Sequence, residues 1–356
     1  MIENIIKVFG PSALSFLIGI AITPTITHFL YKYKAWKKRS GKITTDGHIA
    51  TVFNEIHKEK EVGTPRLGGT VIWISVFVTA LALWSISKLF PTQDTLKLDF
   101  ISRSQTWIPL ATLMFGALVG MIDDLMEIYG TSGYKAGGMS LSKRLVFVGT
   151  VGFLCGAWFF NKLDVSSVNL FFGSSFDLGL LFIPFFALVM LFIYSGGVID
   201  GIDGLAGGVF AIMFSSYAGI AFAQHQINLA AFCAVVVGGI LAFLWFNIPP
   251  ARFYMSETGT MALTMTLTVV AFMTDSLGGG HGIFVLPIVA IPLVVTTFSD
   301  VIQLLSKKIR GKKIFHVAPI HHHFEALGWP SYKVTMRYWV LSIVFGIIGL
   351  CIALIK

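Results

Sequence analysis

The chain has 356 residues, of which 55% are hydrophobic and only 12% are charged, and its formal net charge is +8 at pH 7. Water-soluble domains carry about a quarter of their residues as charged side chains, so this composition excludes an ordinary soluble domain. The three cysteines lie inside apolar runs and form no C-x-x-C pair, which excludes a disulfide framework and a zinc ribbon.

Ten apolar runs follow one another along the chain, and each approaches the roughly 17–25 residues that cross a bilayer. They predict an all-α polytopic membrane protein with about ten transmembrane helices. We expect one domain, residues 1–356, because no repeat and no Gly/Ser- or Pro-rich linker divides the chain. The predicted spans are 10–31, 67–87, 106–122, 145–161, 179–197, 205–223, 228–246, 258–274, 283–305 and 338–355.

The connections between these runs alternate in charge. One set holds 20 of the 26 lysines and arginines; it comprises 32–66, 123–144, 198–204, 247–257 and 306–337. The positive-inside rule makes this set cytoplasmic and places both termini outside. Such a surface attracts anionic lipid headgroups and anionic soluble substrates.

Five carboxylates recur at the cytoplasmic ends of the predicted spans. Asp123 and Asp124 lie in "GMIDDLMEIYG", Asp200 and Asp203 in "SGGVIDGIDGLAGG", and Glu257 in "NIPPARFYMSETGT". For one cluster alone, solvated charges at a helix end are the favoured explanation. Three clusters on one face of the membrane favour an active site at the cytoplasmic rim, because converging carboxylates repel unless a hard cation such as Mg²⁺ relieves them.

The second cluster contains a glycine-rich stretch, "DGIDGLAGG". Gly201 and its neighbours allow the backbone to approach a ligand closely. Asp200 and Asp203 share a face if the segment is helical, and a helix that begins here presents free N–H groups to an anion. Close helix packing in membranes also uses small residues, and that alternative stays open.

Asn247 and Tyr254 flank a Pro-Pro turn ahead of the third cluster. An amide and an aromatic ring on one short loop suit a nucleobase, through hydrogen bonding and stacking. Tyr254 is equally typical of an aromatic anchor at the membrane interface.

Three adjacent histidines, His321, His322 and His323, follow a basic stretch in "KKIRGKKIFHVAPIHHHFEALGWP". Adjacent side chains in a helix point about 100° apart, and structural zinc sites use spaced pairs of ligands. We therefore expect a loop that offers imidazoles and lysines to phosphates, with one imidazole moving a proton.

This histidine motif closely resembles the last cytoplasmic loop of the phospho-N-acetylmuramoyl-pentapeptide translocases, a bacterial branch of the polyprenyl-phosphate N-acetylhexosamine-1-phosphate transferases. The resemblance extends over essentially the whole chain, through "GTPRLGG", "DD", "DGIDGLAGG" and "FNIPPA". It implies Mg²⁺-dependent transfer of phospho-MurNAc-pentapeptide from its UDP carrier to undecaprenyl phosphate, with release of UMP. It also implies a homodimer in the bacterial inner membrane, an active site facing the cytoplasm, and no nucleic-acid partner.

The resemblance carries roles over to individual residues. Asp123 and Asp124 match the essential carboxylate pair, expected both to act in catalysis and to bind the metal, and Glu257 stands where the family has a metal-binding aspartate. The uridine pocket is matched by Asp200, Gly201, Asp203, Asn247, Tyr254 and, nearby, Gln303. Catalytic or phosphate-facing imidazoles are matched by His321 and His322, with His323 beside them as a further substrate contact. The cations expected near the diphosphate are Arg66, Lys143 and Arg144.

The chain departs from the family pattern at five positions. Glu61 replaces a lysine before "GTP", and Arg66 replaces the threonine after it. Glu127 replaces a lysine shortly after "DD", and Gly197 replaces an asparagine. Glu257 has one methylene more than the usual aspartate. We expect Arg66 to supply the cation lost at position 61.

Two other functions fit parts of the pattern. A sibling transferase that uses UDP-GlcNAc is favoured by "PRLGG" and opposed by the histidine motif. A transporter or non-catalytic relative is favoured by Asp300, near the end of the ninth predicted span. It is opposed by the placement of the motifs, because transporter sites lie near the membrane midplane rather than at one rim.

Replacing Asp123 or Asp200 by asparagine is expected to abolish turnover, because each change removes a negative charge from the predicted cation-binding rim. The folded protein should still be recovered in detergent. UMP release by the purified variants, with size-exclusion chromatography as the folding control, checks both statements. Near-normal turnover in either variant would remove that residue from the catalytic set.

Overall fold

A computed structural model describes residues 2–37, 62–101, 104–130, 138–170, 174–275 and 277–355. All of the predicted site residues lie within these ranges. Glu61, one of the departures from the family pattern, lies outside them.

The described chain is almost entirely helical. Its helices are α1 (Ile2–Lys32), α2 (Thr70–Leu89), α3 (Gln93–Leu98), α4 (Ser104–Tyr129), α5 (Leu141–Leu163), α6 (Phe182–Ser195), α7 (Leu205–Ala223), α8 (Ile227–Asn247), α9 (Ser256–Met273), α10 (Gly282–Val289), α11 (Ile291–Arg310), α12 (Ile320–Ala326) and α13 (Ser331–Leu354). Short 3₁₀ turns at Gly179–Leu181 and Gly196–Ile199 precede and follow α6.

The all-α polytopic class predicted from the sequence is confirmed. By length and composition, eight helical segments of the described chain could cross a membrane; a ninth is the pair α10 and α11, if it counts as one span bent by 67°. This pair replaces the single helix predicted at 283–305, and the bend falls at Ala290, just before Pro292. The remaining predicted span, 258–274, corresponds to α9, which carries Glu257 and is not among those eight segments.

Helix α9 forms the centre of the structure. Every residue from Thr258 to Met273 is buried, and the helix packs most extensively against α4. Its threonines bond back to the preceding turn, as in Thr264 Oγ1 to Thr260 O at 2.6 Å and Thr268 Oγ1 to Thr264 O at 3.1 Å. Polar side chains are therefore accommodated in an apolar interior without unsatisfied hydroxyl groups.

A small hairpin lies in the connection between α5 and α6. Strands β1 (Ser167–Asn169) and β2 (Ser175–Asp177) pair antiparallel, with Val168 opposite Phe176. Asp275 ties this hairpin to the start of α10, because its carboxylate accepts from Asn169 N at 2.9 Å and from Ile283 N at 3.1 Å. This end of the molecule is opposite to the carboxylate-rich end, so its polar contacts hold the far ends of the helices together.

Two glycines allow other helices to touch the first turn of α9. A Cβ built on Gly69, just before α2, would lie 2.3 Å from Gly259 N. A Cβ on Gly120, in α4, would lie 2.2 Å from the carbonyl oxygen of Glu257. Real Cβ atoms do not approach so closely, so these contacts require glycine. The backbone of the Glu257 turn is thereby held directly against two neighbouring helices.

Gly120→Ala is expected to destabilise the protein by about 1–3 kcal/mol, because the added methyl group would push α4 away from α9. The measurement is thermal unfolding in detergent. Gly10→Ala in α1 is the matched control, since nothing lies within 4 Å of a Cβ at that position. Equal melting temperatures for the two variants would show that the close approach at Gly120 is not required.

Candidate active site

Asp124 is the most enclosed carboxylate of the site. It lies near the end of α4 with no solvent exposure. It accepts hydrogen bonds from Thr258 N at 2.9 Å and Thr258 Oγ1 at 2.6 Å, and from Glu257 N at 3.3 Å. These donors belong to the first turn of α9, where free backbone N–H groups and the helix dipole favour an anion. Asp124 therefore anchors the beginning of α9 to the end of α4.

Asp123 and Glu257 share one cation. Arg144, at the start of α5, places Nη2 2.9 Å from Asp123 Oδ2 and Nη1 2.5 Å from Glu257 Oε1. Asp123 Oδ1 also accepts from the backbone N–H of Met139. The Arg144 side chain is 18% exposed and that of Glu257 is 23% exposed, so this pair opens toward solvent while Asp123 is buried. The guanidinium bridges two carboxylates that belong to different helices.

A second set of ion pairs lies beside the first. Arg66 Nη1 is 2.5 Å from Glu127 Oε2 and 3.6 Å from Asp124 Oδ1. Lys37 Nζ reaches the other oxygen of Glu127 at 2.9 Å. Glu127, which stands where the family has a lysine, is therefore compensated by two cations. The cation expected at Arg66 lies beside the carboxylate pair.

The two sets form one charged cluster of four carboxylates and three cations, namely Asp123, Asp124, Glu127, Glu257, Lys37, Arg66 and Arg144. Buried carboxylates destabilise a fold unless they are paired and hydrogen-bonded, and each of these four meets that condition. Counted over these seven described side chains alone, with every carboxyl group ionised, three positive and four negative charges leave a formal charge of −1. A further cation, or an arginine released to an anionic substrate, can be accommodated here.

The donor set is compatible with magnesium. Within the described ranges no three His, Cys, Asp or Glu side chains converge as ligands of a metal ion. Mg²⁺ is, however, commonly held by one or two carboxylates together with substrate phosphates. Asp123 Oδ2 is buried and forms an ion pair with Arg144 but accepts no hydrogen bond from the described residues. It therefore retains the capacity for another ligand. Asp123 and Glu257 thus fit a two-carboxylate site that substrate would complete.

The first five residues of the glycine-rich stretch, 200–204, form turns after the 3₁₀ segment Gly196–Ile199, and α7 begins within the stretch at Leu205. The condition under which Asp200 and Asp203 would share a helical face is therefore not met. Asp200 Oδ2 accepts from Ser256 N at 2.7 Å, and Asp203 Oδ2 accepts from Ala251 N at 3.2 Å. Both carboxylates thereby connect this turn to the segment that leads into Glu257.

Asn247 completes the same connection from the end of α8. Its Oδ1 accepts from Gly204 N at 3.0 Å, and its Nδ2 donates to Phe253 O at 2.8 Å. Gly204 has φ = +75°, a left-handed conformation that favours glycine at this turn. The predicted uridine residues Asp200, Asp203 and Asn247 are therefore neighbours in space.

The three histidines lie on a short helix, α12, so the prediction of a loop is wrong. Ile320 N donates to Ser299 Oγ of α11 at 2.9 Å and fixes the start of this helix. His321 and His322 are buried, and both point toward the glycine-rich turn. A Cβ built on Gly201 would lie 2.5 Å from His321 Nε2 and 2.6 Å from His322 Nε2. Helix α12 thus brings two imidazoles to a segment about 120 residues earlier in the chain.

His323 has different surroundings. Its ring stacks on that of His316 with centroids 5.3 Å apart, and its Nδ1 accepts from His316 N at 3.2 Å. Partial burial, with the neighbouring His316 imidazole, lowers the pKa of His323 below its usual range. The direction of this shift disfavours the imidazolium form of His323, and its predicted contact with the substrate stays a prediction.

Three other predicted residues lie around this region. Gln303 Oε1 accepts from Ile314 N and Phe315 N, each at 3.0 Å, so its amide holds the backbone ahead of α12. Tyr254 is half-buried, and its backbone pairs with Pro65 and Gly68 at 2.8 Å. Lys143 is exposed next to Arg144. The substrate contacts predicted for these side chains stay predictions.

Sequence reasoning did not identify several residues that complete the site. Lys37 and Thr258 hold Glu127 and Asp124, and Glu325 contacts His322. Thr258 could have been found from its place in the first turn of the helix that begins at "SETGT". Glu325 could have been found from its spacing of three residues after His322 within a helix.

The fold defines a class, an all-helical, multi-pass membrane protein, with a charged cluster at one end of its helices. Residues 106–275 match the family described as glycosyl transferase family 4. This segment contains Asp123, Asp124, Arg144, the glycine-rich turn and Glu257.

Similar proteins extend the match to nearly the whole chain. The phospho-N-acetylmuramoyl-pentapeptide-transferase of Anoxybacillus flavithermus is 30% identical over 354 residues, and that of Geobacillus thermodenitrificans is 30% identical over 348 residues. The enzyme of the same name from Bacillus anthracis is 29% identical over 348 residues. Each alignment covers 96% of both chains. The chain belongs to the phospho-N-acetylmuramoyl-pentapeptide-transferase family.

Gly201→Ala is expected to lower turnover at least tenfold, because the new methyl group would occupy the space into which His321 and His322 point. The protein should remain folded, since the backbone at this position does not require a positive φ. Initial rates and thermal unfolding of the variant measure the two effects separately. Gly10→Ala is again the control, because nothing lies within 4 Å of a Cβ at that position.

Proposed function

We propose that this chain transfers phospho-N-acetylmuramoyl-pentapeptide from UDP-MurNAc-pentapeptide to undecaprenyl phosphate, giving lipid I and UMP for peptidoglycan synthesis. Family membership over nearly the whole chain supports this assignment. The observation that carries the local chemistry is the convergence of Asp123, Arg144 and Glu257 at the end of the helices where the basic connections meet.

The proposed reaction is an in-line phosphoryl transfer. An oxygen of the lipid phosphate attacks the phosphorus that bears the sugar, and the bond between that phosphorus and the bridging oxygen breaks. UMP departs with the bridging oxygen and its electron pair. Such a reaction needs charge neutralisation and positioning rather than covalent chemistry by the protein. The cluster around Arg144 provides charged groups for both purposes.

The two adjacent aspartates have different roles in this proposal. Asp124 is surrounded by three donors from α9, so it positions the first turn of that helix. Asp123 pairs with Arg144, and through that guanidinium it positions the attacking lipid phosphate. A phosphate monoester is largely ionised at neutral pH, so Asp123 need not remove a proton from it.

Magnesium, when bound, would neutralise charge that develops on the diphosphate. Asp123 and Glu257 are the residues that would hold it. Arg144 pairs with both, so it is available to the diphosphate when these carboxylates are engaged otherwise. Arg66, 3.6 Å from Asp124, provides the second cation of the proposed phosphate-binding region.

The nucleotide is proposed to lie along the glycine-rich turn. Asp200, Gly201, Asp203 and Asn247 are neighbours there, and the imidazoles of α12 approach Gly201 from the other side. Glycine at 201 lets the two imidazoles approach the turn closely. A nucleotide whose uridine lies on the turn would place its phosphates between the turn and the charged cluster, which lies on the far side of Ser256.

We also assign the chain to the bacterial inner membrane, with this site facing the cytoplasm, because the basic connections lie at the same end as the carboxylates. A homodimer remains part of the proposal on the basis of the family resemblance. Size-exclusion chromatography with light scattering in detergent tests the oligomeric state directly.

The decisive experiment is UMP release by the purified protein with undecaprenyl phosphate and UDP-MurNAc-pentapeptide, with and without magnesium. Magnesium-dependent release supports the proposal. Release with UDP-GlcNAc in place of the pentapeptide donor would instead identify a sibling transferase. Absence of release with either donor from a folded sample would overturn the proposed activity.

Glu257→Gln is expected to weaken metal binding roughly tenfold or more, because a neutral amide is a poorer ligand for a hard divalent cation. Binding of Mn²⁺, followed by electron paramagnetic resonance, measures this without turnover. The magnesium concentration that gives half-maximal UMP release should rise in parallel. Glu3→Gln removes an exposed carboxylate far from the site and is the control. Unchanged Mn²⁺ binding in Glu257→Gln would mean that other residues hold the metal.

A further inference from the structure

Glu325 lies at the end of α12, one helical turn after His322. Its Oε2 is 2.7 Å from His322 Nδ1, and both side chains are only 2% exposed. Its other oxygen, Oε1, accepts from Ser331 Oγ at 2.6 Å. Ser331 begins α13, so the carboxylate connects the histidine helix to the next membrane-spanning helix.

The two nitrogens of the His322 ring have distinct surroundings. Nδ1 faces Glu325, whereas Nε2 points toward Gly201 of the glycine-rich turn. A carboxylate bonded to Nδ1 keeps a proton on that nitrogen and fixes the orientation of the ring. Nε2 then either accepts a proton or, in the imidazolium form, donates one toward the turn.

The neighbouring histidine shows that this arrangement is not a general feature of the motif. His323 Nδ1 accepts from the backbone N–H of His316, and its ring stacks on His316. Adjacent positions on one short helix thus hold their rings in different ways. The carboxylate is placed three residues after His322, where helical spacing brings the two side chains together.

We infer that Glu325, held by Ser331, is a positioning residue that directs His322 Nε2 toward the phosphates of the nucleotide substrate. This inference rests on the proposed function. The two oxygens of Glu325 are engaged by His322 and Ser331, which places its carboxylate behind the imidazole rather than at Gly201. Its effect on the reaction is therefore exerted through His322.

The test compares Glu325→Gln with the wild-type protein in the UMP-release assay. The amide retains the size of the side chain but loses the charge, and changes to such a supporting group typically reduce activity about 10- to 100-fold. We expect that loss in kcat, with the KM for undecaprenyl phosphate and the melting temperature nearly unchanged. Glu3→Gln, the same substitution at an exposed carboxylate, should retain the wild-type kcat.

A double-mutant cycle separates positioning from an independent role. If Glu325 acts through His322, Glu325→Gln should have no further effect in a His322→Ala background. Fully additive losses of the two variants would overturn the inference. So would a wild-type kcat in folded Glu325→Gln.

Ser331→Ala provides the second variant if Glu325→Gln does not fold. It keeps the carboxylate and removes one of its holders, so we expect a kcat loss below about tenfold, with restoration by Ser331→Thr. An unchanged kcat in Ser331→Ala would then overturn the inference. The proposed function fails separately, since in that case the wild-type protein itself releases no UMP from the pentapeptide donor.

Discussion

The arrangement of the site depends on the burial of Asp124 against the beginning of α9. A fully buried carboxylate is tolerated only because the first turn of this helix supplies two backbone N–H groups and one hydroxyl group. The glycines at positions 69 and 120 let α2 and α4 approach closely enough for these bonds to form. This geometry sets the position of Glu257, because its backbone is part of the turn that Asp124 holds.

Charge compensation extends this interaction outward. Arg144 connects Asp123 of α4 with Glu257 of α9, and Arg66 lies between Asp124 and Glu127. Glu127 would be an isolated negative charge without neighbouring cations. Lys37 and Arg66 pair with it, so its charge is compensated within the cluster.

The second part of the site is joined to the first through backbone contacts. Asp200 binds Ser256 N, directly before Glu257, and Asp203 binds Ala251 N in the same connecting segment. Helix α12 approaches this turn from the opposite side, with Ser299 and Gln303 of α11 holding its approach. The bend between α10 and α11 therefore matters for function, since α11 carries both of these residues. A shift of α11 would move the imidazoles relative to Gly201.

The sequence by itself determined the membrane class, the approximate helices and the end of the molecule where polar chemistry collects. Apolar run length and the distribution of lysine and arginine are local properties. Such runs form helices in a membrane because their backbone N–H and C=O groups must find hydrogen-bond partners within the run. Motifs such as "DD" and "HHH" predicted residues of the candidate site, and most of these residues do converge.

The partners of these residues, and so their different roles, are set by the packing of the helices. Asp123 and Asp124 are adjacent in sequence, yet one pairs with Arg144 while the other anchors α9. Likewise, His322 is bonded to Glu325 while His323 stacks on His316. Neighbouring side chains on a helix point in different directions, so their partners come from helices far away in the chain. No local pattern specifies those partners, because they are set by how the helices pack.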